Sequence, residues 1–458
     1  MTSTYDALVI GSGTAGQAAA YELNRNGLSV GLVEHGQQPG GTCALSGCQA
    51  KKWFYEGAET VARSRHLTDL GITVPALGSW SQLKEAKNRF TAKVPTNTVN
   101  GLKKAGIDFI PGHARFVDPK TISVDGRRIA TRFTILATGA APMKLPIDGA
   151  QLMVSSSDFL ELDRLPRKIV FVGGGFISFE FAHFAARLGS EEIRCTILEA
   201  GPRPLGPFDG EMVELLSDAS AKAGIAIHND VNITSIGQTG SSFTVRTEDG
   251  RRFDSDLVVH GAGREPEITD LALDRADVQS SRRGITVNEK METTSPGIFA
   301  AGDCAATVQL ARVADAEAQT AAANIVSSCK DNGYETFMDY TAVPAVLFTY
   351  PQYGMVGATE DTLKDDGIDY EKSAGKELGW PTYRRVGMKS AAFKVMIGRT
   401  DRRILGAHIL SDNATGLINT FTLAMHNRIP ANELHRQSVM TPYPSRESDI
   451  IYMLKPLL

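Results

Sequence analysis

Two thiols stand close together near the start of this chain. Cys43 and Cys48 lie within Gly40-Gly41-Thr42-Cys43-Ala44-Leu45-Ser46-Gly47-Cys48-Gln49-Ala50-Lys51-Lys52. Cysteines at this spacing can close a small disulfide ring if the backbone bends, and Gly40, Gly41 and Gly47 supply that freedom. At a helix N-terminus the positive end of the dipole lowers a thiol pKa and favours the reactive thiolate. Zinc is the main rival reading. A structural zinc site needs four ligands, and the sequence offers no second close Cys/His pair. A structural disulfide is the other rival, disfavoured by a composition with only five cysteines and no secretory profile. A redox-active pair is the expected chemistry.

Such a pair needs an electron source, and the flanking elements supply candidates. Leu8-Val9-Ile10 reads as a strand running into Gly11-Ser12-Gly13-Thr14-Ala15-Gly16. A helical stretch and a second strand ending at Glu34 follow. This is the dinucleotide-binding βαβ pattern: Gly11 for the tight turn, Gly13 for close approach to a pyrophosphate, Gly16 for helix–strand contact, Glu34 for ribose hydroxyls. The pattern returns in Ile169-Val170-Phe171-Val172, Gly173-Gly174-Gly175, a helix through Leu188 and a strand ending at Glu199. Here Ser178 stands where the third glycine or alanine is usual. A carboxylate at Glu199 favours NADH over NADPH, with nearby Arg203 as the one residue that could blur the choice. Two such turns call for two nucleotides, most economically FAD in the first and a nicotinamide dinucleotide in the second. Ile298-Phe299-Ala300-Ala301-Gly302-Asp303 fits the flavin reading, with Asp303 expected to cap the next helix and to reach the flavin's ribityl or phosphate part.

The expected fold class is α/β: two Rossmann-like dinucleotide-binding domains, for FAD and NAD(P), plus a C-terminal α+β domain. Boundaries are expected at 1–154 (FAD, first part), 155–266 (NAD(P)), 267–339 (FAD or central, second part) and 340–458. In the last segment, Val343 to Phe348, Ala391 to Ile397 and Ile404 to Ile409 read as strands, and Gly416 to Met425 as a helix.

Composition excludes several functions. The chain has 458 residues, 42% hydrophobic and 22% charged, with net charge −4. It has no Lys/Arg block, so no nucleic-acid partner is expected. No apolar run reaches membrane-spanning length, and Met1 to Ile10 runs directly into a strand, so no membrane partner and a cytoplasmic location are expected. Cys195, Cys304 and Cys329 look scattered and structural.

With these motifs together, the chain resembles the FAD-dependent pyridine nucleotide-disulfide oxidoreductases, the family of dihydrolipoyl dehydrogenase, glutathione reductase and mercuric reductase. The resemblance covers the cysteine segment, both glycine turns, Ala137-Thr138-Gly139, Gly302-Asp303, and Phe348-Thr349-Tyr350-Pro351 with Val356-Gly357-Ala358-Thr359-Glu360. It implies a homodimer joined by the C-terminal dimerisation domain. It implies that Cys48 is the thiolate against the flavin and Cys43 the interchange thiol that attacks substrate. It pairs Lys52 near the flavin ring with Glu180, and places Ala114, in Gly112-His113-Ala114, near the adenine. Thr42, Thr138, Gly139 and Gly263 complete the implied cofactor contacts.

Two departures stand out. Gln49-Ala50 replaces a common proline and serine. At the C-terminus, Tyr443 occupies the place of the family's acid–base histidine, Glu447 lies one position early, and Ser448 stands where its glutamate belongs. A phenol is a poor base at neutral pH, so the chain resembles an atypical member lacking the His-Glu pair; His426 and His435 are expected on or near helix surfaces instead. The expected activity is electron transfer between NAD(P)H and a small-molecule, lipoyl or protein disulfide/dithiol. The alternatives are a metal-ion, quinone or oxygen acceptor, and a non-catalytic flavin-binding electron-transfer partner.

Overall fold

The strand Ser3–Ile10 lies between two parallel neighbours, Val30–Glu34 and Arg127–Leu136, with Ile10 level with Val33 and Leu136. The computed structural model describes residues 3–189, 192–331 and 333–458; Met1 and Thr2, part of the N-terminal reading, lie outside them. Asp108–Pro111 extends the sheet beyond Val30–Glu34, and Ile298–Ala300 joins Arg127–Leu136 in parallel. Thr121–Val124 and Ala114–Asp118 continue it as an antiparallel meander. The chain leaves Ser3–Ile10 on one side and returns on the other, which opens a crevice at the carboxyl ends of the strands. The helix Thr14–Arg25 covers this sheet with Ala15, Ala19, Ala20 and Leu23 buried. Their small side chains permit close packing.

The second half repeats the plan. Lys168–Val172 lies between Arg194–Leu198 and Leu257–His260, all parallel, with Ile225–His228 outside. A meander of Ile233–Thr239, Ser242–Thr247 and Arg252–Ser255 accompanies it. The helix Phe176–Leu188 is buried almost all round, as its Phe-Ile-Ser-Phe-Glu-Phe-Ala sequence requires.

The C-terminal part is an antiparallel sheet in the order Ala345–Leu347, Gln352–Gly357, Ile404–Ser411, Ala392–Gly398, Tyr370–Gly375. The helix Ala414–His426 buries Leu417, Ile418, Phe421 and Ala424. Gly354 makes this packing possible, because a Cβ there would stand 2.5 Å from Ile418 Cγ1. The strands and helix read from the sequence here are all present, with ends shifted by at most two residues. His426 is exposed and His435 half-buried, each on a helix.

The chain divides into two compact units. One comprises Met1–Lys52, Glu85–Met143 and Arg264–Asp339. The other comprises Trp53–Lys84, Lys144–Gly263 and Tyr340–Leu458. Among the described residues no helix is long and apolar enough to cross a membrane.

The second unit contains a fully buried histidine. His183 Nδ1 receives the Tyr350 N–H at 3.2 Å and lies 3.0 Å from Arg187 Nη1, while Nε2 lies 2.9 Å from Ser220 Oγ. Burial, then the Arg187 charge, hold its pKa well below the usual 6.5. The unfolded chain therefore takes up a proton below about pH 6.5 that the folded protein refuses. Stability is full above that pH and falls as the pH drops, by about 1.4 kcal/mol per pH unit for this group. Urea midpoints at pH 7.5 and 5.5 should show the fall, and His183→Gln should reduce it.

Candidate functional site

In the first unit the glycine turn has little room for side chains. Gly11 adopts φ +110°, and a Cβ there would meet the Ala137 carbonyl at 2.2 Å. A Cβ at Gly16 would stand 1.9 Å from Gly11 O, whereas at Gly13 the nearest atom is 3.8 Å away. The three glycines thus serve a turn, a helix–strand contact and an open approach. Gly13 caps the helix Thr14–Arg25 without a side-chain partner, which leaves first-turn N–H groups to face an anion. This cradle fits the pyrophosphate of a dinucleotide. Gly16→Ala should weaken FAD retention about tenfold or more, measured as the flavin-to-protein absorbance ratio after dialysis.

Glu34 ends its strand as expected. Its Oε2 accepts from the Ser12 N–H at 2.9 Å and the Ser12 hydroxyl at 2.6 Å, and its Oε1 from Gly36 N at 2.6 Å. Ser12 Oγ in turn accepts from Gly40 N at 2.9 Å. Ser12 therefore ties the glycine turn, the acid and the cysteine segment together. Sequence reading missed it; the signal was a hydroxyl inside a turn that otherwise needs only glycines.

The same contact continues at Gly41. It adopts φ +74°, and a Cβ there would lie 2.4 Å from Gly13 Cα. Gly41 opens the short helix Gly41–Leu45, which carries Thr42 and Cys43. Cys48 then begins the helix Cys48–His66. Lys52 follows one turn later with Nζ shielded from water. Both thiols are half-buried and unbridged.

The helix-start lowering expected for a thiol of the pair does not apply at Cys43. The Cys43 pKa is raised, first by its hydrogen bond to Cys48, then by burial and the Cys48 charge. Only the Thr14 hydroxyl pulls the other way. Two thiols in hydrogen-bonding contact share a proton, and the second resists leaving beside the first negative charge. The helix N-terminus effect is outweighed.

Ala114 is buried at the start of its strand, next to Gly112, which has φ +138°. His113 stacks on His35 with ring centres 4.9 Å apart. Thr138 and Gly139 follow Arg127–Leu136, and Gly139 adopts φ +77°. Asp303 corrects the capping expectation. The next helix is Ala311–Lys330, and its N-cap is Leu310 without a side-chain cap. Between them the chain makes a loop, with Ala306 N donating to Ile285 O and Leu310 N to Val308 O. Burial pushes the Asp303 carboxyl up, and Arg264 draws it back.

In the second unit, Gly173 has φ +95°, and Gly175 is open apart from Gly261 O at 3.4 Å from its Cβ position. Gly175 caps Phe176–Leu188 without a side-chain partner, a second anion cradle. Ser178 is fully buried in the third position, and a Cβ at Gly261 would stand 2.0 Å from its Oγ. The larger residue is thus accommodated by a glycine on the facing strand end. Glu199 accepts from Gly174 N at 2.6 Å and Gly201 N at 2.7 Å. Arg203 is turned into its own loop, donating to Phe208 O at 2.6 Å and Gly206 O at 3.1 Å. Gly263 has φ +104°.

Glu180 is 1% exposed, and its Oε1 accepts from Phe348 N at 2.9 Å. Tyr443 is 76% exposed. Glu447 is engaged within its own fold: its Oε1 accepts from Asn413 Nδ2 at 2.8 Å, and Asn413 Oδ1 accepts from Gly416 N, so Glu447 steadies the cap of Ala414–His426. Buried Arg446 grips Asp412 with both ends, at 2.6 and 2.8 Å. Ser445 and Ser448 bond to each other. The chain immediately after Tyr443 is braced by these contacts.

The model of the pyridine nucleotide-disulphide oxidoreductase family matches residues 5–318, and that of the family's dimerisation domain matches residues 343–449. The chain belongs to this family. As a member it is a flavoprotein oxidoreductase that uses FAD, a pyridine nucleotide and a redox disulfide, with a domain for homodimer formation. It is 30% identical to a mercuric reductase of Staphylococcus aureus, over 94% of this chain and 78% of that one. It is 30% identical to a dihydrolipoyl dehydrogenase of Chlamydia pneumoniae, over 94% and 92%, and 29% identical to a glutathione reductase of Burkholderia cepacia, over 93% of each. The fold matches that of the HOCl-induced flavoprotein disulfide reductase RclA from Escherichia coli, with TM-score 0.87 at 24% identity, over 99% of this chain and all of that one.

Proposed function

We propose that this family member is an NADH-dependent disulfide reductase, or a dihydrolipoyl-type dehydrogenase in reverse, working through Cys43 and Cys48. In this reading 1–154 and 267–339 hold FAD, 155–266 the pyridine nucleotide, and 340–458 the partner copy. One observation carries it: the thiol pair is fastened to the first glycine turn, through Gly41 on Gly13 and Gly40 N on Ser12 Oγ. Bound FAD supplies a two-electron relay from pyridine nucleotide to the cysteines.

The chain's own residues divide the remaining work. Gly11, Gly13, Gly16 and the Thr14–Arg25 N-terminus seat the pyrophosphate, and Glu34 the ribose. Thr42, Ala114, Thr138, Gly139 and Asp303 line the rest, with Lys52 as the cation nearest the ring. Gly173, Gly175 and Gly263 seat the second dinucleotide. Cys48, at the helix start, is the inner thiolate. Cys43, hydrogen-bonded by Thr14, passes its proton to the Cys48 thiolate as its sulfur attacks the substrate disulfide; the first departing substrate thiolate takes that proton, and Cys48, again a thiolate, then attacks Cys43 and releases the second. Tyr443 of the partner copy donates a hydrogen bond to the departing sulfur, which a phenol can do without acting as a base. Glu447 supports the loop that carries Tyr443, and Glu180 holds the backbone at Phe348.

Glu199 supports NADH over NADPH. Its carboxylate is held by two backbone N–H groups, while Arg203 is committed elsewhere. A 2′-phosphate would meet a fixed negative charge there. Glu199→Gln should raise the NADPH-to-NADH ratio of kcat/KM by about tenfold; an unchanged ratio removes Glu199 from selectivity.

The whole reading is tested by alkylation under anaerobic conditions. Peptide mass mapping before and after NADH addition should show Cys43 and Cys48 alkylated only after reduction. If NADH exposes neither thiol, the pair is structural and the proposal fails. A metal-ion acceptor has the mercuric reductase likeness in its favour.

A further inference from the structure

The loop after Glu199 is held from two sides. On one side it lies on the second glycine turn: Leu205 N donates to Gly174 O at 2.9 Å, and a Cβ on Gly174 would stand 2.8 Å from Pro204 Cβ and 2.7 Å from Glu199 Oε2. On the other it is fastened to the C-terminal sheet and to the short flanking helix Glu360–Asp365. Asp209, which ends the loop and caps the helix Gly210–Lys222, accepts from Lys394 Nζ at 2.9 Å and from Glu360 N at 3.1 Å. The Asp209 N–H donates to the Tyr353 hydroxyl at 3.1 Å. Asp361, beside Glu360, lies 3.8 Å from Arg203 Nη2. Arg203 Nη1 and Asp361 Oδ2 both crowd Gly210, at 3.2 and 3.3 Å from its Cβ position.

Arg203 is the first cation after Glu199, four residues on. In the structure its two terminal nitrogens are occupied by Phe208 O, Gly206 O and Asp361. We propose that Asp361 and the Asp209–Lys394 bridge act as a latch: the C-terminal sheet and its flanking helix keep Arg203 away from the ribose, and so fix the enzyme's preference for a dinucleotide without a 2′-phosphate. Asp361 is a positioning residue, acting through Arg203. The physical basis is competition for one guanidinium. Asp361 and the two loop carbonyls hold it in the free protein, and a 2′-phosphate offers a stronger, doubly charged alternative once that hold is weakened.

The inference rests on the proposed reading that the second glycine turn takes the pyridine nucleotide and that Glu199 makes it prefer NADH there. Asp361 is on the surface, its side chain 59% exposed, so Asp361→Asn should fold normally. The experiment measures NAD⁺ and NADP⁺ binding to the holoenzyme by titration calorimetry, alongside the NADPH-to-NADH ratio of kcat/KM. In Asp361→Asn, NADP⁺ binding should tighten about two- to fivefold, the scale of a partly exposed ion pair, with NAD⁺ binding and FAD content unchanged. Adding Arg203→Ala should cancel the gain, and Asp361→Glu should retain the wild-type preference. An unchanged ratio in Asp361→Asn overturns the latch, as does a gain that persists without Arg203. Failure of the underlying reading looks different: the wild-type protein itself would then bind NADP⁺ at least as well as NAD⁺.

Discussion

Cys43→Ser should abolish disulfide reduction, lowering turnover at least about a thousandfold, while NADH still reduces the bound flavin. In the proposed mechanism the variant removes the thiol that meets substrate, and it leaves the glycine cradles untouched. Cys48→Ser should lose turnover to the same degree for a different reason. It leaves Cys43 able to attack but removes the thiol that resolves the product. A mixed disulfide should therefore accumulate on Cys43, seen as the added mass of half the substrate. The two variants separate the roles. If the adduct forms on Cys48 in Cys43→Ser instead, the assignment of outer and inner thiol is reversed. The raised Cys43 pKa adds a second expectation. With Cys48 gone, its hydrogen bond and negative charge go as well, so Cys43 in Cys48→Ser should alkylate at lower pH than in the reduced wild-type pair.

Lys394→Met should cost about 3–5 kcal/mol of stability, read as a lower urea midpoint. Lys394 lies in the strand Ala392–Gly398 with 2% of its side chain exposed. Its ammonium contacts Asp209 at 2.9 Å, Glu211 at 2.8 Å and Glu360 at 2.8 Å. Asp209 and Glu360 are themselves buried, at 1% and 8% side-chain exposure. Removing the cation leaves two buried carboxylates without it, and that desolvation cost dominates the effect. Glu360 keeps Lys372 at 2.8 Å, so the larger share falls on Asp209. Glu211→Gln should cost within about 1 kcal/mol, because Glu211 is 54% exposed and solvent already screens it. Equal losses in the two variants would show that burial is not the cause.

Both expectations draw on different amounts of sequence information. The cysteine pair, the two glycine turns and the acids that end the following strands were legible because each is a short covalent spacing with one dominant geometric use. Gly11 and Gly16 can hold nothing larger, whatever surrounds them, since the clashes are with backbone only a turn away or on the neighbouring strand. Asp303 was misread for the complementary reason. A Gly-Asp before an alanine-rich run resembles a helix start, but the loop contacts that delay the helix to Ala311 come from Ile285 and Gly302. Helix starts are set by such pairings as much as by the local residue.

The sequence by itself determined the chemistry available: a thiol pair, two glycine turns, a carboxylate ending the strand after each turn and a tyrosine in place of a histidine. The tertiary structure alone decided how those groups are held. It showed that Ser178 is tolerated because Gly261 faces it, that Glu447 serves a helix cap through Asn413, and that Arg203 is bound to Asp361 and to its own loop. Each of these depends on residues brought together from separate segments. The physical reason is that a side chain's type sets what it can bond to, but its partner is chosen by packing. The two thiols that opened the sequence reading follow the same division: their redox capacity is in their spacing, while the raised pKa of Cys43 comes from the fold that presses it against Cys48.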